Sequence, residues 1–402
     1  MPQAEQPTQP IYMDNHATTR VDPRVVEVVV QCFDGTYGNA GSVNHAFGWD
    51  ARELVDEARV SIAGAIGAEP KEIVFTSGAT ESDNLAIFGV AQRARRRGDH
   101  LLSVATEHKA VLEPLARLRR RGFEVTLLGV SQHGNSDAGS ISPEEVAGAI
   151  RDDTCLVSVM LANNEIGTIH PLEEIGRICK ERGVLLHCDA TQGVGKMPLD
   201  VERLGIDLMS FSGHKMYGPK GVGALYVRRR NPAVRLEPQI VGGGQEAGRR
   251  SGTLNVPGIV GLAKALELSL LEMDEESQRL TGLRERLYEG LVEKIDGVSL
   301  NGPALDADNL RLRGNLNVSF AGVDGEALLM STRLLAVSSG SACTSEDPTP
   351  SHVLQALGLD DDTTRSSIRF GLGRFNTDDE VERAIELIAE GTKRLRAMSG
   401  GA

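Results

Sequence analysis

Seven short apolar runs recur between residues 72 and 227: EIVFTS, HLLSVA, EVTLLG, LVSVMLA, VLLHCDA, LMSFSG and GALYV. Their apolar character is nearly continuous rather than alternating, as in strands covered on both faces. Stretches of helical character separate most of them. In one, Leu172, Ile175, Ile178 and Cys179 recur at three- and four-residue spacing. Strands alternating with helices predict an α/β domain with a mostly parallel, doubly covered seven-stranded sheet. One connection breaks the pattern. Only SGHKMYGPKGV separates LMSF from GALYV, and a parallel return takes roughly a dozen residues or more and usually a helix. The last strand is therefore expected to run antiparallel to its predecessor.

After Pro257 the pattern turns helical through IVGLAKALELSLLEMDEESQRLTGLRERLYEGLVEKI, long for a single globular helix. A long helix, straight or kinked, is expected to lead out of the first domain. LNVSF, LAVSSG and SSIRFGLG follow, with helical stretches between and after them. They predict a smaller α+β domain. The expected division is an N-terminal segment over residues 1–20 packing with the small domain, a large domain over 21–258, and a small domain over 259–402.

Composition narrows the function classes. The chain has 402 residues and a formal net charge of −13, which argues against a general nucleic-acid binder. The basic runs Arg93–Arg97 and Arg228–Arg230 read as solvated ends of elements. Five cysteines without a C-x-x-C pair argue against a disulfide framework and a structural zinc site, and fit a reducing cytoplasm. No apolar run approaches the length of a membrane span. The first ten residues, MPQAEQPTQP, read as a disordered tail.

Ligands of open α/β sheets bind beyond the carboxyl ends of the strands. Here those ends carry TSGATESDN, TEHKAV, NNEIG, DATQ and SGHK. Ser77–Ser82 opens a helix after a strand, a seat for phosphate. It is not a P-loop, since the only Gly-Lys pair, Gly195-Lys196, is followed by Met197. Lys215 lies in a tight turn straight after a buried strand, a setting for a Schiff-base lysine. Asp189 ends the preceding strand and suits a pyridinium nitrogen. A phosphate seat, a lysine and an aspartate are the parts pyridoxal phosphate needs. Cys343 is unlike the other cysteines. It sits in SSGSACTSEDPTP, with no bulky apolar neighbour to bury it.

From IYMDNHATTRVDPRV through EIVFTSGATESDNLAI, TEHKAV, NNEIGT, HCDATQGVGK, DLMSFSGHKMYGPKGVGALYVR, GGGQEAGRRSGT and LAVSSGSACTS to SSIRFGLGRF, the chain resembles the cysteine desulfurases that make sulfur for iron–sulfur clusters. These are class V, fold-type I pyridoxal-phosphate enzymes. The resemblance implies that Lys215 bonds the cofactor, His108 stacks on its ring and Asp189 pairs with the ring nitrogen. Gln192 would bond the ring hydroxyl. Ala79, Thr80, Ser212 and His214 would hold the phosphate, joined by Thr253 from the partner of a homodimer. Asn164 would lie by the ring and the substrate, and Arg369 and Asn15 would bind the substrate, L-cysteine.

The implied chemistry is sulfur removal. Lys215 moves the Cα proton, the thiolate of Cys343 attacks the substrate sulfur, and alanine leaves. The persulfide on Cys343 then passes to an acceptor or iron–sulfur scaffold protein, with Cys343 touching iron only transiently. A loop over about 338–366, as in the long-loop group of the family, would carry Cys343 between pocket and acceptor. Two departures stand out. His16 occupies a position where the family often has Asn or Ser, and the C-terminus lacks a tail often used to dock the scaffold. A selenocysteine lyase, another class V enzyme such as an aminotransferase or kynureninase, and a catalytically inactive scaffold are the alternatives.

Overall fold

The computed structural model describes residues 10–94, 98–307, 309–339 and 350–399. Cys343 and residues 1–9 of the expected N-terminal tail lie outside the described residues. The chain begins with strand β1 (Ile11–Tyr12), then helices α1 (Pro23–Asp34) and α2 (Ala46–Ala65). Asp22 starts α1 by accepting a hydrogen bond from the Arg24 N–H at 3.0 Å, with Pro23 in the first turn where its missing N–H costs nothing.

The seven apolar runs all become strands: β2 (Ile73–Thr76), β3 (His100–Val104), β4 (Glu124–Leu128), β5 (Thr154–Ser158), β6 (Leu185–Asp189), β7 (Leu208–Ser212) and β8 (Gly223–Val227). Between them lie helices α3 (Ala79–Ala94), α4 (Lys109–Arg119), α5 (Pro143–Ala149) and α6 (Leu172–Arg182). The strand order is β2-β8-β7-β6-β5-β3-β4. As its short connection requires, β8 runs antiparallel to β7, and also to β2 on its other side. Alternate residues feed two cores. Leu102, Leu186 and Phe211 face one side with α2 and α6, while Leu101, Leu156 and Leu208 face the other with α3 and α4. β4, one of the two edge strands, keeps a partly exposed face, while β2 at the other edge is buried.

The helical stretch after Pro257 is two helices, α7 (Val256–Leu271) and α8 (Met273–Lys294), broken at Glu272 with φ −101° and ψ 4°. Beyond them come β9 (Val298–Leu300), β10 (Asn315–Phe320), α9 (Gly325–Ser331), β11 (Leu335–Ala336), β12 (Ser338–Ser339), α10 (His352–Ala356), α11 (Asp361–Arg365), β13 (Ser367–Gly371) and α12 (Asp378–Ser399). Strands β12-β13-β10-β9 form an antiparallel sheet in that order. Leu283, Leu287 and Leu291 of α8 pack there with Val381, Ile385 and Ile388 of α12. β1 pairs with β11 in parallel, and Met13 is buried in this second core. The same segment also reaches the large sheet, where the Thr19 N–H donates to the His214 carbonyl at 2.9 Å. The expected 338–366 loop is partly regular structure. β12 and the helices α10 and α11 occupy its two ends, and residues 340–349 lie outside the described residues. No helix among the described residues is long and apolar enough to cross a membrane.

Candidate active site

Five strand ends converge on one cavity of about 540 Å³, lined by Ala79, Thr80, His108, Asn164, Asp189, Gln192, Ser212, His214 and Lys215. A neighbouring cavity of about 630 Å³ shares Thr80, His108, Asn164 and Lys215 with it, and adds His16 and Arg369. The turn from β2 into α3 closes tightly over β8. A Cβ on Gly223 would come within 2.7 Å of the Gly78 Cα, so only glycine lets the N-terminus of α3 approach here. That helix end points its dipole and first N–H groups at the cavity beside Thr80, Ser212 and His214. Burial depresses His214 to about 4, so its imidazole is neutral.

Lys215 ends the single 3-10 turn that follows β7. Its ammonium donates to the carbonyls of His16 and Ala17, both at 2.6 Å. His108 caps α4, its Nδ1 accepting from the Ala110 N–H at 3.1 Å, and lines the cavity as well. The capping and functional readings of this histidine therefore hold together. Burial lowers its pKa, opposed by the charge of Asp189 and assisted by that of Lys215. Asp189 is buried at the end of β6 and accepts from the Thr191 N–H at 2.9 Å. Burial, then the nearby charge of Asp83, lifts it to about 6. A cationic ring nitrogen placed against it would favour the ionised form.

Arg369 is 2 % exposed on β13. It donates to Asp14 at 2.7 Å, to Ser338 Oγ at 3.2 Å and to the Asn164 carbonyl at 3.1 Å. Its Nε–H is buried and has no partner among the described residues. An orphaned guanidinium edge beside a cavity fits a carboxylate. Together with the helix terminus, Asp189 and Lys215, this donor set fits pyridoxal phosphate and an amino-acid substrate.

Two expected site residues stand apart from these cavities. Asn15 turns its amide onto the Gly371 carbonyl at 2.8 Å and onto Asn376 at 3.2 Å, bracing β13 rather than lining the cavity. Thr253 is exposed and outside the cavity of its own chain. Cys343 is not among the described residues. The other four cysteines are inert thiols. Burial raises all four, Cys155 to about 11 and Cys179 to about 12.

Sequence reasoning passed over several groups around the site. Glu107, beside His108, is fully buried and accepts from the Met160 N–H at 2.6 Å; burial holds its carboxyl well above the usual range. Lys196 is half-buried, donates to Gln192 Oε1 at 2.9 Å and is depressed to about 7 by desolvation and by the charge of Lys215. Asp14 was legible only as one more acid in MDNHATT. Among the described residues no cluster of His, Cys, Asp and Glu could hold a metal ion.

Residues 11–384 match the family described as aminotransferase class-V. The chain is 57% identical over 390 residues to a curated cysteine desulfurase IscS of Anaeromyxobacter dehalogenans (strain 2CP-C), covering 97% of this chain and 94% of that relative. Among solved structures, a NifS-like protein superposes with a TM-score of 0.86 at 39% identity, covering 95% of this chain and 98% of the other. SspA in complex with cysteine superposes with a TM-score of 0.79 at 37% identity, covering 92% of this chain and 100% of the other.

Proposed function

The chain belongs to the class-V aminotransferase family, and we propose that within it the protein is a pyridoxal-phosphate-dependent cysteine desulfurase. It would take sulfur from L-cysteine onto Cys343, release L-alanine and pass the sulfur to an acceptor protein. The observation that carries this reading is the meeting of Lys215, Asp189 and the N-terminus of α3 around one cavity, in a chain whose curated relative is named a cysteine desulfurase.

Thr80, Ser212 and His214 with the α3 terminus would hold the cofactor's phosphate, and Lys215, Asp189 and Gln192 would hold its ring end. When bound, the cofactor supplies an electron sink for charge developing at the substrate Cα. Lys215 moves the Cα proton, and its two carbonyl partners hold the amine close to the cavity. His108, whose pKa is lowered by burial, lines the cavity where it would cover the ring, and its Nε2 is the nitrogen left to pass a proton. Arg369, braced by Asp14, fixes the substrate carboxylate. Cys343, as thiolate, takes the sulfur.

A homodimer accords with two features. Thr253 lies outside the cavity of its own chain, and Phe33, Tyr37, Val43, Phe47 and Trp49 leave a run of large apolar side chains exposed.

The test is the protein loaded with pyridoxal phosphate and given L-cysteine under a thiol reductant. Alanine and sulfide are expected in equal amounts. Cys343→Ala should keep the yellow cofactor colour and lose sulfide release. No alanine from the wild type would refute the desulfurase reading, and unchanged sulfide from the variant would refute the role of Cys343.

A further inference from the structure

The face of the large sheet that α3 covers carries Leu101, Leu156 and Leu208. Two residues further along the same strands stand Ser103, Ser158 and Ser210, so the serines share that face. His187 pairs with Ser158 in register, and Asp189 pairs with Ser210. The face therefore turns from apolar to polar as it nears the cavity, and the whole polar row is buried. Asp83, one turn into α3, comes down on this row. It is fully buried, and neither of its carboxyl oxygens has a hydrogen-bond partner among the described residues. His187 Nε2 stands 3.5 Å from Oδ1, but it also lies 3.0 Å from Ser210 Oγ. Burial depresses that imidazole to about 4, so it brings no charge to Asp83.

A buried carboxyl without donor or cation is costly, and each one calls for an explanation. The titratable groups that face Asp83 do not supply a cation. Asp189, Glu107 and the Cys188 thiol each feel its charge, and each is pushed up by it after burial. On its open side Asp83 lines the cofactor cavity together with Asp189. The set is short of a positive charge, and the cavity is the side from which one can come.

We propose that Asp83 is a positioning residue acting through Asp189: its carboxylate is a second negative charge under the bound cofactor, and it strengthens the hold on the ring-nitrogen proton that Asp189 contacts. This rests on the pyridoxal-phosphate reading above. A cation on the ring side favours the ionised form of both carboxyls, and their charges in turn raise the nitrogen's affinity for its proton. Away from water the second charge is weakly screened. A ring nitrogen that keeps its proton is the better electron sink. His187, Cys188, Glu107, Asp189 and, on the cavity side, His108 are common to the proteins compared below, so a difference between them reports on Asp83.

The test follows the Asp83 carboxyl by carbon NMR in labelled protein, assigned through its bonds to its own backbone. Without cofactor its midpoint is expected at about 7. With pyridoxal phosphate bound it should fall by about one pH unit or more, as for a carboxyl that gains a nearby cation. In Asp189→Asn, where the ring nitrogen lacks the carboxylate that keeps its proton, that fall should disappear. Reciprocally, nitrogen NMR of ring-labelled cofactor should show the proton leaving about one pH unit lower in Asp83→Asn than in wild type. Above the variant's midpoint its kcat should be lower by up to about tenfold with KM unchanged, and the gap should close as the pH falls. An Asp83 midpoint that the cofactor leaves in place, a fall that persists in Asp189→Asn, or a ring nitrogen that titrates alike in wild type and Asp83→Asn overturns the proposal. The wild-type comparison with and without cofactor decides it even where Asp83→Asn does not fold. A wild type that takes up no pyridoxal phosphate overturns the parent reading instead, whereas an unmoved Asp83 in a yellow wild type overturns this proposal alone.

Discussion

Arg369 is held on two sides before any substrate arrives. Asp14 takes one terminal nitrogen at 2.7 Å, the Asn164 carbonyl takes the other at 3.1 Å, and Nε alone is left over. A charge this deeply buried is tolerated only when paired, so Asp14 supports the guanidinium while leaving it a free edge. The sequence shows Arg369 as a candidate through SSIRFGLG, but it does not show Asp14, whose partner lies 355 positions away. The same holds for Glu107 and Lys196. Each reads as an ordinary charged residue until the fold buries it. Asn15 fails in the opposite direction, since it adjoins the site in sequence while its amide braces Gly371 and Asn376. Arg369→Lys should keep a charge and lose the planar fork. The KM for L-cysteine is expected to rise roughly ten- to hundredfold with a smaller change in kcat. Steady-state alanine production measures both, and an unchanged KM would remove Arg369 from the carboxylate site.

Among the elements, long patterned ones are legible and short ones are not. All seven strands of the large sheet, and the reversal of β8, follow from apolar runs and one short connection. The pairing of β1 with β11 does not, because a two-residue strand carries no period to read. Helices α10 and α11 are hidden for the same reason. They lie in a stretch that composition alone assigns to a loop, yet α10 is tied firmly to the site. Ser351 caps its first turn through the Leu354 N–H and donates to the buried Glu165 at 2.5 Å. His352 donates from Nε2 to the Glu107 carbonyl at 2.9 Å, one residue from His108. This helix therefore anchors the C-terminal end of the segment carrying Cys343 onto the turn carrying His108. His352→Ala removes one of these ties. Sulfide release is expected to fall several-fold while the affinity for pyridoxal phosphate stays within about twofold, as suits one lost hydrogen bond outside the cofactor cavity. Stopped-flow sulfide release and a cofactor titration separate the two. Equal losses in both would mean that His352 supports the cofactor pocket instead.

At the scale of the molecule, the large sheet supplies Lys215, Asp189 and His108, while the four-stranded sheet supplies Arg369. The segment from Met13 to Thr19 joins them, buried in the second core at one end and hydrogen-bonded to Lys215 and His214 at the other. One chain thus assembles most of a site; of the expected members among the described residues, Asn15 braces β13 instead and Thr253 remains outside. The exposed face over α1 and α2 offers a way to complete it. Tyr37 and Phe47 meet tilted at 5.4 Å between centroids in the open, and Trp49, the only tryptophan of the chain, is 56 % exposed close by. Aromatic surface of this kind is favoured when a partner covers it. If two copies meet here and each lends Thr253 to the other, breaking the face should cost the cofactor as well as the dimer. Phe47→Asp combined with Trp49→Asp places two charges in the contact, where burial without a partner is strongly unfavourable. Sedimentation should then show a monomer, and pyridoxal phosphate should bind roughly tenfold more weakly, as expected for the loss of one phosphate contact. Thr253→Ala should reproduce the weaker binding while sedimenting as a dimer. A double variant that stays dimeric would place the interface elsewhere, and a monomer with full cofactor affinity would show that Thr253 plays no part in holding the phosphate.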